Sequence, residues 1–258
     1  MDQTLQKLDT LMSGLSMLSD LTQNFSTLKP GETVPLTPIE KFPMKDSSKI
    51  MMELRNEYVH KYSWAILDQD SINKIAKFIG QMNCLSCFSG NGYLESLINQ
   101  QLTDKNQIKL TDINILDNRY TSVEQLSSFD AVKKYNYPVL FMSWPPQRSH
   151  CEGQPIAGMT LNLFFGTHLI YIGEPIGMST ADDVFFTLID KYWQLEQKVE
   201  IKQWPGIHDS VFLYTRKTVC QVCLKTDQLK RCTRCQIIKY CSKECQLSDW
   251  PDHKQICH

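Results

Sequence analysis

The chain has 258 residues, 42% of them hydrophobic, and its 27 Lys and Arg nearly balance 28 Asp and Glu for a formal net charge of −1. That size and balance accommodate one sizeable core beside a smaller module. No apolar run is long enough to cross a bilayer, and the first residues lack the pattern of a secretory signal, so an intracellular protein with reduced cysteines, cytoplasmic or nuclear, is expected.

Residues 1–29 place Leu5, Leu8, Leu11, Leu15, Leu18, Leu21, Phe25 and Leu28 three or four apart, the spacing of an amphipathic helix. A membrane-surface helix would carry Lys and Arg along its polar face, and only Lys7 and Lys29 are available. Packing on the main domain, or self-association through residues 5–28, is therefore expected. Prolines at 30, 35, 38 and 43 mark residues 30–49 as a linker.

From residue 50 to 217 helical stretches alternate with short apolar runs, which predicts an α/β domain on a parallel, Rossmann-like sheet of seven strands. Strands are expected at Asn83–Phe88, Ile108–Asp112, Val123–Leu126, Pro138–Ser143, Leu169–Gly173, Val199–Gln203 and Val211–Thr215. Helices are expected at Ser71–Gln81, Gly92–Asn99, Phe129–Tyr135, Ile156–Phe165 and Ala181–Gln194. Asp182 and Asp183 open the last of these, where acids suit the positive end of the helix dipole.

Open α/β sheets bind ligands beyond the carboxyl ends of their strands, so that edge supplies the candidate site. The first strand runs into Ser89-Gly90-Asn91-Gly92 and a helix, where glycines let the backbone approach a nucleotide-like ligand. Ser89, Gly90 and Gly92 are the candidate cofactor contacts, with Asp112 placed to receive ribose hydroxyls; a tight turn is the plainer reading. Ser143, Trp144 and Pro145 form a rigid lip after the fourth strand, and Glu174 ends the fifth, where a carboxylate can act as a base or ligand contact. Cys84 and Cys87 sit in an apolar strand whose alternation points them to opposite faces, so they read as buried core thiols. His208 and Asp209 read as a turn-stabilising pair.

The last forty residues hold seven of the ten cysteines. The run is C-x2-C at Cys220 and Cys223, C-x2-C at Cys232 and Cys235, then Cys241, Cys245, His253 and Cys257. Structural zinc takes four thiolate or imidazole ligands, so eight make two closed sites. A segment this short and polar cannot offset its ordering entropy by burial; bound zinc contributes about 10–16 kcal/mol per site in model fingers. Cys241 with Cys245, and His253 with Cys257, are spaced i,i+4, one face of a short helix. Residues from Arg216 onward are formally +5 and the rest −6; seven thiolates on two zincs bring the finger near +2. Nucleic-acid binding, which favours a clustered basic stripe, is the weaker alternative, and the lysines and arginines read as a solvated face.

With Tyr240 before Cys241 and Asp249-Trp250 between Cys245 and His253, this pattern resembles a MYND-type zinc finger. The resemblance implies interleaved ligation, with Cys220, Cys223, Cys241 and Cys245 on one zinc and Cys232, Cys235, His253 and Cys257 on the other. It also implies a protein-interaction module, one that often holds proline-containing peptides. Across residues 58–217, Tyr62-Ser63-Trp64-Ala65-Ile66, Gly90-Asn91-Gly92-Tyr93-Leu94, Leu140-Phe141-Met142-Ser143-Trp144-Pro145-Pro146, Tyr171-Ile172-Gly173-Glu174, Thr180-Ala181-Asp182-Asp183 and Trp204-Pro205-Gly206-Ile207-His208-Asp209 resemble one branch of the S-adenosylmethionine-dependent methyltransferases. That implies the cofactor S-adenosylmethionine. In the family an acidic residue and an additional glycine precede the G-x-G; Ser86 and Phe88 stand at the matching positions. The expected organisation is a helix (1–29), a linker (30–49), a methyltransferase-like domain (50–217) and a finger (218–258). Its expected role is a zinc-binding interaction factor with a divergent or degenerate methyltransferase domain; an active methyltransferase targeted by the finger is the alternative.

Overall fold

The computed structural model describes residues 55–104, 107–204, 206–254 and 257. The expected helix of residues 1–29, its self-association and the Pro-rich linker lie outside them. One compact unit ends at Lys61 and includes helical residues 55–61; Tyr62–His258 form a second, to which all that follows refers.

Helix α1 (Gln69–Ile79) begins where the Asp68 carboxylate accepts the Ser71 N–H at 2.8 Å, and Ile72, Ile75, Ala76 and Ile79 form its buried face. Strand β1 (Cys84–Cys87) leads into α2 (Tyr93–Asn99), β2 (Ile108–Asp112), β3 (Glu124–Gln125), α3 (Ser128–Lys134) and β4 (Val139–Ser143). Helix α4 (Ile156–Leu163), β5 (His168–Gly173), α5 (Asp183–Tyr192), β6 (Trp193–Glu200) and β7 (Ser210–Arg216) complete the domain. The sheet has seven strands in the order β3-β2-β1-β4-β5-β7-β6, the methyltransferase-type Rossmann-like architecture. Strand β1 and four of the five residues of β4 are buried, which is why they read as continuous apolar runs. Cys84 and Cys87 are fully buried core thiols.

Two expectations are corrected. The sheet is mixed: β7 pairs antiparallel with both β5 and β6. Parallel neighbours need a crossover of a dozen or more residues, usually a helix; the short connection from β6 to β7 contains none and turns the chain back. The sixth strand runs Trp193–Glu200 instead of Val199–Gln203, starting where α5 ends. As an edge strand with Trp193 and Val199 buried and the rest exposed, it carries no apolar alternation for a sequence to show.

The reversal of β7 places the finger. Strand β7 starts beside Gly173 at the carboxyl edge and ends beside His168 at the amino edge. The chain leaves the sheet at Arg216 and enters the finger at Cys220, on the side opposite the β1 and β2 loops. There Phe165 packs against the buried finger cluster of Cys220, Cys232, Ile238, Tyr240 and Cys257. The Tyr192 hydroxyl donates to the Gln221 carbonyl at 2.9 Å.

Candidate functional site

The two C-x2-C pairs fold alike. Leu224 N–H donates to Cys220 O at 3.0 Å and Gln236 N–H to Cys232 O at 2.9 Å. In each case the residue after the second cysteine, Leu224 or Gln236, takes a left-handed conformation with φ of 60° or 59°, closing a tight turn with both sulfurs on one side. A two-stranded ribbon of β8 (Lys230–Arg231) and β9 (Lys239–Tyr240) carries Cys232 and Cys241 just past its strands. Ser242 then caps α6 (Lys243–His253), accepting Cys245 N–H at 3.2 Å.

The eight residues fall into two groups, Cys220, Cys223, Cys241 and Cys245, and Cys232, Cys235, His253 and Cys257, with ligand atoms in each within 4.8 Å of one another. A zinc–sulfur bond of about 2.3 Å sets neighbouring sulfurs of a tetrahedron about 3.8 Å apart. In the first group Cys223–Cys241, Cys241–Cys245 and Cys223–Cys245 are separated by 3.3, 3.7 and 3.9 Å. In the second, Cys232–Cys257 is 3.7 Å and Cys235 Sγ to His253 Nε2 is 3.6 Å. Contact with Cys223, then burial, pushes the Cys241 thiol up to about 12. Against burial, backbone donors of Cys223 and Cys241 hold the Cys220 thiol of the same group down to about 6, and a bound divalent cation stabilises all four as thiolates. Burial holds the His253 imidazole below its ordinary pKa, favouring the neutral ligand form. Number, type and spacing of donors all fit zinc.

The helical expectation for these ligands is corrected. Cys241 precedes α6 and Cys257 follows it, so neither i,i+4 pair shares a helical face. The helix instead contributes Cys245 near its start to one group and His253 at its end to the other. Around them, Tyr240 donates its hydroxyl to Asp249 at 2.6 Å, and Phe165 meets the His253 ring edge-on at 5.6 Å.

At the sheet's carboxyl edge the structure brings Ser89, Gly90, Gly92 and Asp112 together. Asp112 Oδ2 accepts the Gly90 N–H and Oδ1 the Asn114 N–H, each at 2.9 Å, so both oxygens already bind the protein's own loops. A Cβ on Gly92 would lie 2.8 Å from Thr121 Cγ2 and 2.9 Å from Leu110 Cδ2, so that glycine makes room for side chains; Gly90 faces open space. Phe88 occupies the position of the family's additional glycine with φ 62° and packs against the core cluster containing Leu85 and Cys87. The glycine conformation persists without the glycine.

Ser86 is fully buried, and its hydroxyl donates to Glu95 Oε1 at 2.6 Å; Ser89 donates to Ser86 Oγ at 2.9 Å. Burial pushes the Glu95 carboxyl up to about 7. Glu95 was missed from the sequence because it lies in the first turn of α2, where an acid reads as a helix-dipole partner; a carboxylate among buried Tyr93, Leu94, Leu97 and Ile98 was the available signal.

Trp144, with φ 49°, donates Nε1–H to Asp209 Oδ2 at 3.0 Å and stacks on Trp64 with centroids 5.3 Å apart. Asp209 thus binds Trp144, where the sequence suggested a pair with His208. Ser143 pairs with Ile172 in the sheet, and Pro145 O accepts Ala181 N–H at 2.8 Å. Glu174 is 1% exposed; Oε2 accepts Ser179 N–H at 3.0 Å and Oε1 accepts His208 N–H at 2.9 Å. Its carboxylate ties two loops together at the edge where a base or ligand contact is expected from the sequence. With respect to S-adenosylmethionine, the acid that follows the G-x-G, Glu95, is buried on Ser86, and each oxygen of Asp112, the expected ribose acceptor, already accepts one backbone N–H, so a ribose would share that carboxylate with the protein's own loops.

Residues 220–257 match the family model for the MYND finger. This segment is a MYND finger. The MYND finger is a protein-interaction module, and here all its ligand positions are filled. Short matches join the chain to named proteins. It is 48% identical over 44 residues to histone-lysine N-methyltransferase SMYD3 of Homo sapiens, covering 17% of this chain and 10% of that protein. It is 53% identical over 68 residues to dauer abnormal formation protein 25 of Caenorhabditis elegans, covering 24% and 17%. With Egl nine homolog 1 of Homo sapiens it shares 47% over 38 residues, 15% of this chain and 9% of that protein. Among solved structures, magnesium protoporphyrin IX methyltransferase from Synechocystis PCC 6803 aligns at 8% identity and a TM-score of 0.40, over 69% of this chain and 87% of that one. The YhhF protein of Escherichia coli aligns at 15% identity and a TM-score of 0.37, over 70% of this chain and 91% of that one. No helix among the described residues is long and apolar enough to cross a membrane.

Proposed function

We propose that this protein is an intracellular interaction factor whose MYND finger captures a partner protein and whose methyltransferase-type domain is a degenerate scaffold. The observation that carries this reading is a contrast within one chain. Every ligand position of the finger is filled and compact, whereas in the α/β domain Asp112 accepts backbone N–H groups from the loops after β1 and β2 and the next acid along the chain from the β1 loop, Glu95, is buried. The matched relatives agree with a portable finger, since their names describe different roles and the matches cover small parts of them. By the family resemblance, the partner segment is a short proline-containing peptide.

The test is calorimetric titration of zinc-loaded protein with S-adenosylmethionine, beside partner capture by the Cys232→Ser and Asp112→Ala variants. The scaffold reading expects no heat, loss of capture in Cys232→Ser, and capture intact in Asp112→Ala. A second reading, an active methyltransferase targeted by the finger, is favoured by the open space over Gly90 and the seven-stranded order. It places Gly90, Gly92 and Asp112 at the cofactor and Ser143, Trp144, Pro145 and Glu174 near the acceptor. Micromolar binding of S-adenosylmethionine would decide for it.

A further inference from the structure

Where the finger meets the α/β domain, the two enclose a cavity of about 260 Å³. Arg216 and Lys217 from the end of the sheet and Arg231 and Lys239 from the finger's ribbon line it, and no Asp or Glu does. The acceptors these cations reach are neutral. Arg216 directs Nε and Nη2 to the Gly166 and Phe164 carbonyls and lies over the Trp193 ring at 4.5 Å. Lys217 donates to the Asp190 carbonyl and Lys239 to the Thr218 hydroxyl. Among the described residues none of the four takes part in an ion pair. Burial lowers the Arg216 pKa to about 10, against the opposing pull of Tyr192 and Cys235.

Four cationic residues and no acid line this space; the two zinc–thiolate groups, formally −3 together when loaded, offset part of that charge through the finger, and an anion in the cavity supplies it with a direct partner. We propose that this cavity binds a phosphate group, held between the guanidinium of Arg216 and the side chains of Lys217, Arg231 and Lys239. A phosphate answers this set better than a carboxylate does. It carries up to two charges and three terminal oxygens for a planar arginine fork and several lysine point charges. The volume falls just below the roughly 300 Å³ at which pockets begin to hold drug-sized ligands, so the fit is to a phosphate head rather than a whole nucleotide. Gln221 and Gln236, also in the wall, supply neutral donors. Because the wall comes from both domain and finger, the bound anion fastens one to the other. Two sources present this chemistry, a free small phosphate and a phosphorylated side chain of a captured protein.

The experiment uses zinc-loaded full-length protein at low salt and calorimetry with three probes: inorganic phosphate, a phosphoserine peptide and its unphosphorylated twin. Binding of phosphate with no gain from the phosphopeptide identifies a small-molecule site. Tighter binding of the phosphopeptide than of either other probe identifies a phosphorylated partner. Arg231→Gln and Lys239→Gln should each weaken binding roughly tenfold, with zinc content and circular dichroism unchanged. Lys225→Gln, on the finger but outside the cavity, should leave it unaltered. Absence of binding for all probes at millimolar concentration overturns the proposal. So does binding that the Arg231→Gln, Lys239→Gln double variant retains, or that Lys225→Gln weakens equally.

Discussion

Ser86 and Glu95 are joined by a 2.6 Å hydrogen bond in a region closed to solvent, the serine fully buried and the glutamate 2% exposed. The carboxyl is pushed from 4.5 up to about 7, chiefly by burial. Between those values the folded protein keeps a proton that the unfolded chain releases, so this group's contribution to stability falls as pH rises from 4.5 to about 7 and stays lost above. Glu95→Gln keeps an acceptor for Ser86 and removes the titration. Relative to wild type it should gain stability at pH 8, on the order of 3 kcal/mol, and nothing at pH 4. Urea unfolding at both pH values checks this; equal gains at both would refute it.

Phe88 at φ 62° reverses a familiar ranking. Glycine in place of a side chain usually costs stability relative to alanine, but a left-handed residue costs an L-amino acid about 1–2 kcal/mol. Phe88→Gly and Phe88→Ala both lose the ring's packing, so both should unfold before wild type, with the glycine variant the more stable by about 1 kcal/mol. Thermal melts of the pair give the comparison.

Glu174→Ala deprives the Ser179 and His208 N–H groups of their acceptor at a 1% exposed site. Both donors sit on exposed residues that water can reach, so each lost hydrogen bond should cost about 0.5–1.5 kcal/mol, and the loops it ties should exchange amide hydrogens faster. A variant with wild-type stability and exchange would show that the carboxylate is free for another task.

Full-length protein should hold two zinc ions by elemental analysis, as its two four-ligand groups require. Cys245→Ser should remove the first and weaken the second, because α6 bridges both groups through Cys245 and His253. Loss of one ion with undiminished affinity for the other would refute the coupling through α6. Strong chelation should unfold the finger, since bound zinc supplies about 10–16 kcal/mol per site.

Much of this was legible because the chemistry demands particular residues. The eight ligands declare themselves through thiol and imidazole spacing, and β1 and β4 through the largely apolar runs that both-sided burial requires. Strand β6 was illegible because six of its eight residues are exposed, which leaves no apolar alternation to read. The partners of the buried carboxylates were not legible, because Ser86 reaches Glu95 from a different element nine residues away and His208 reaches Glu174 from 34 residues away.

The reversed β7 also sets a reach. Strand β5 runs from the finger's side of the sheet to the opposite rim in six residues, about 16 Å at 3.3 Å per step. A peptide gripped by the finger therefore could not offer its gripped residues to the Gly90–Asp112 rim of the same molecule. About five further extended residues would have to cross that span, or a second molecule would have to present the rim.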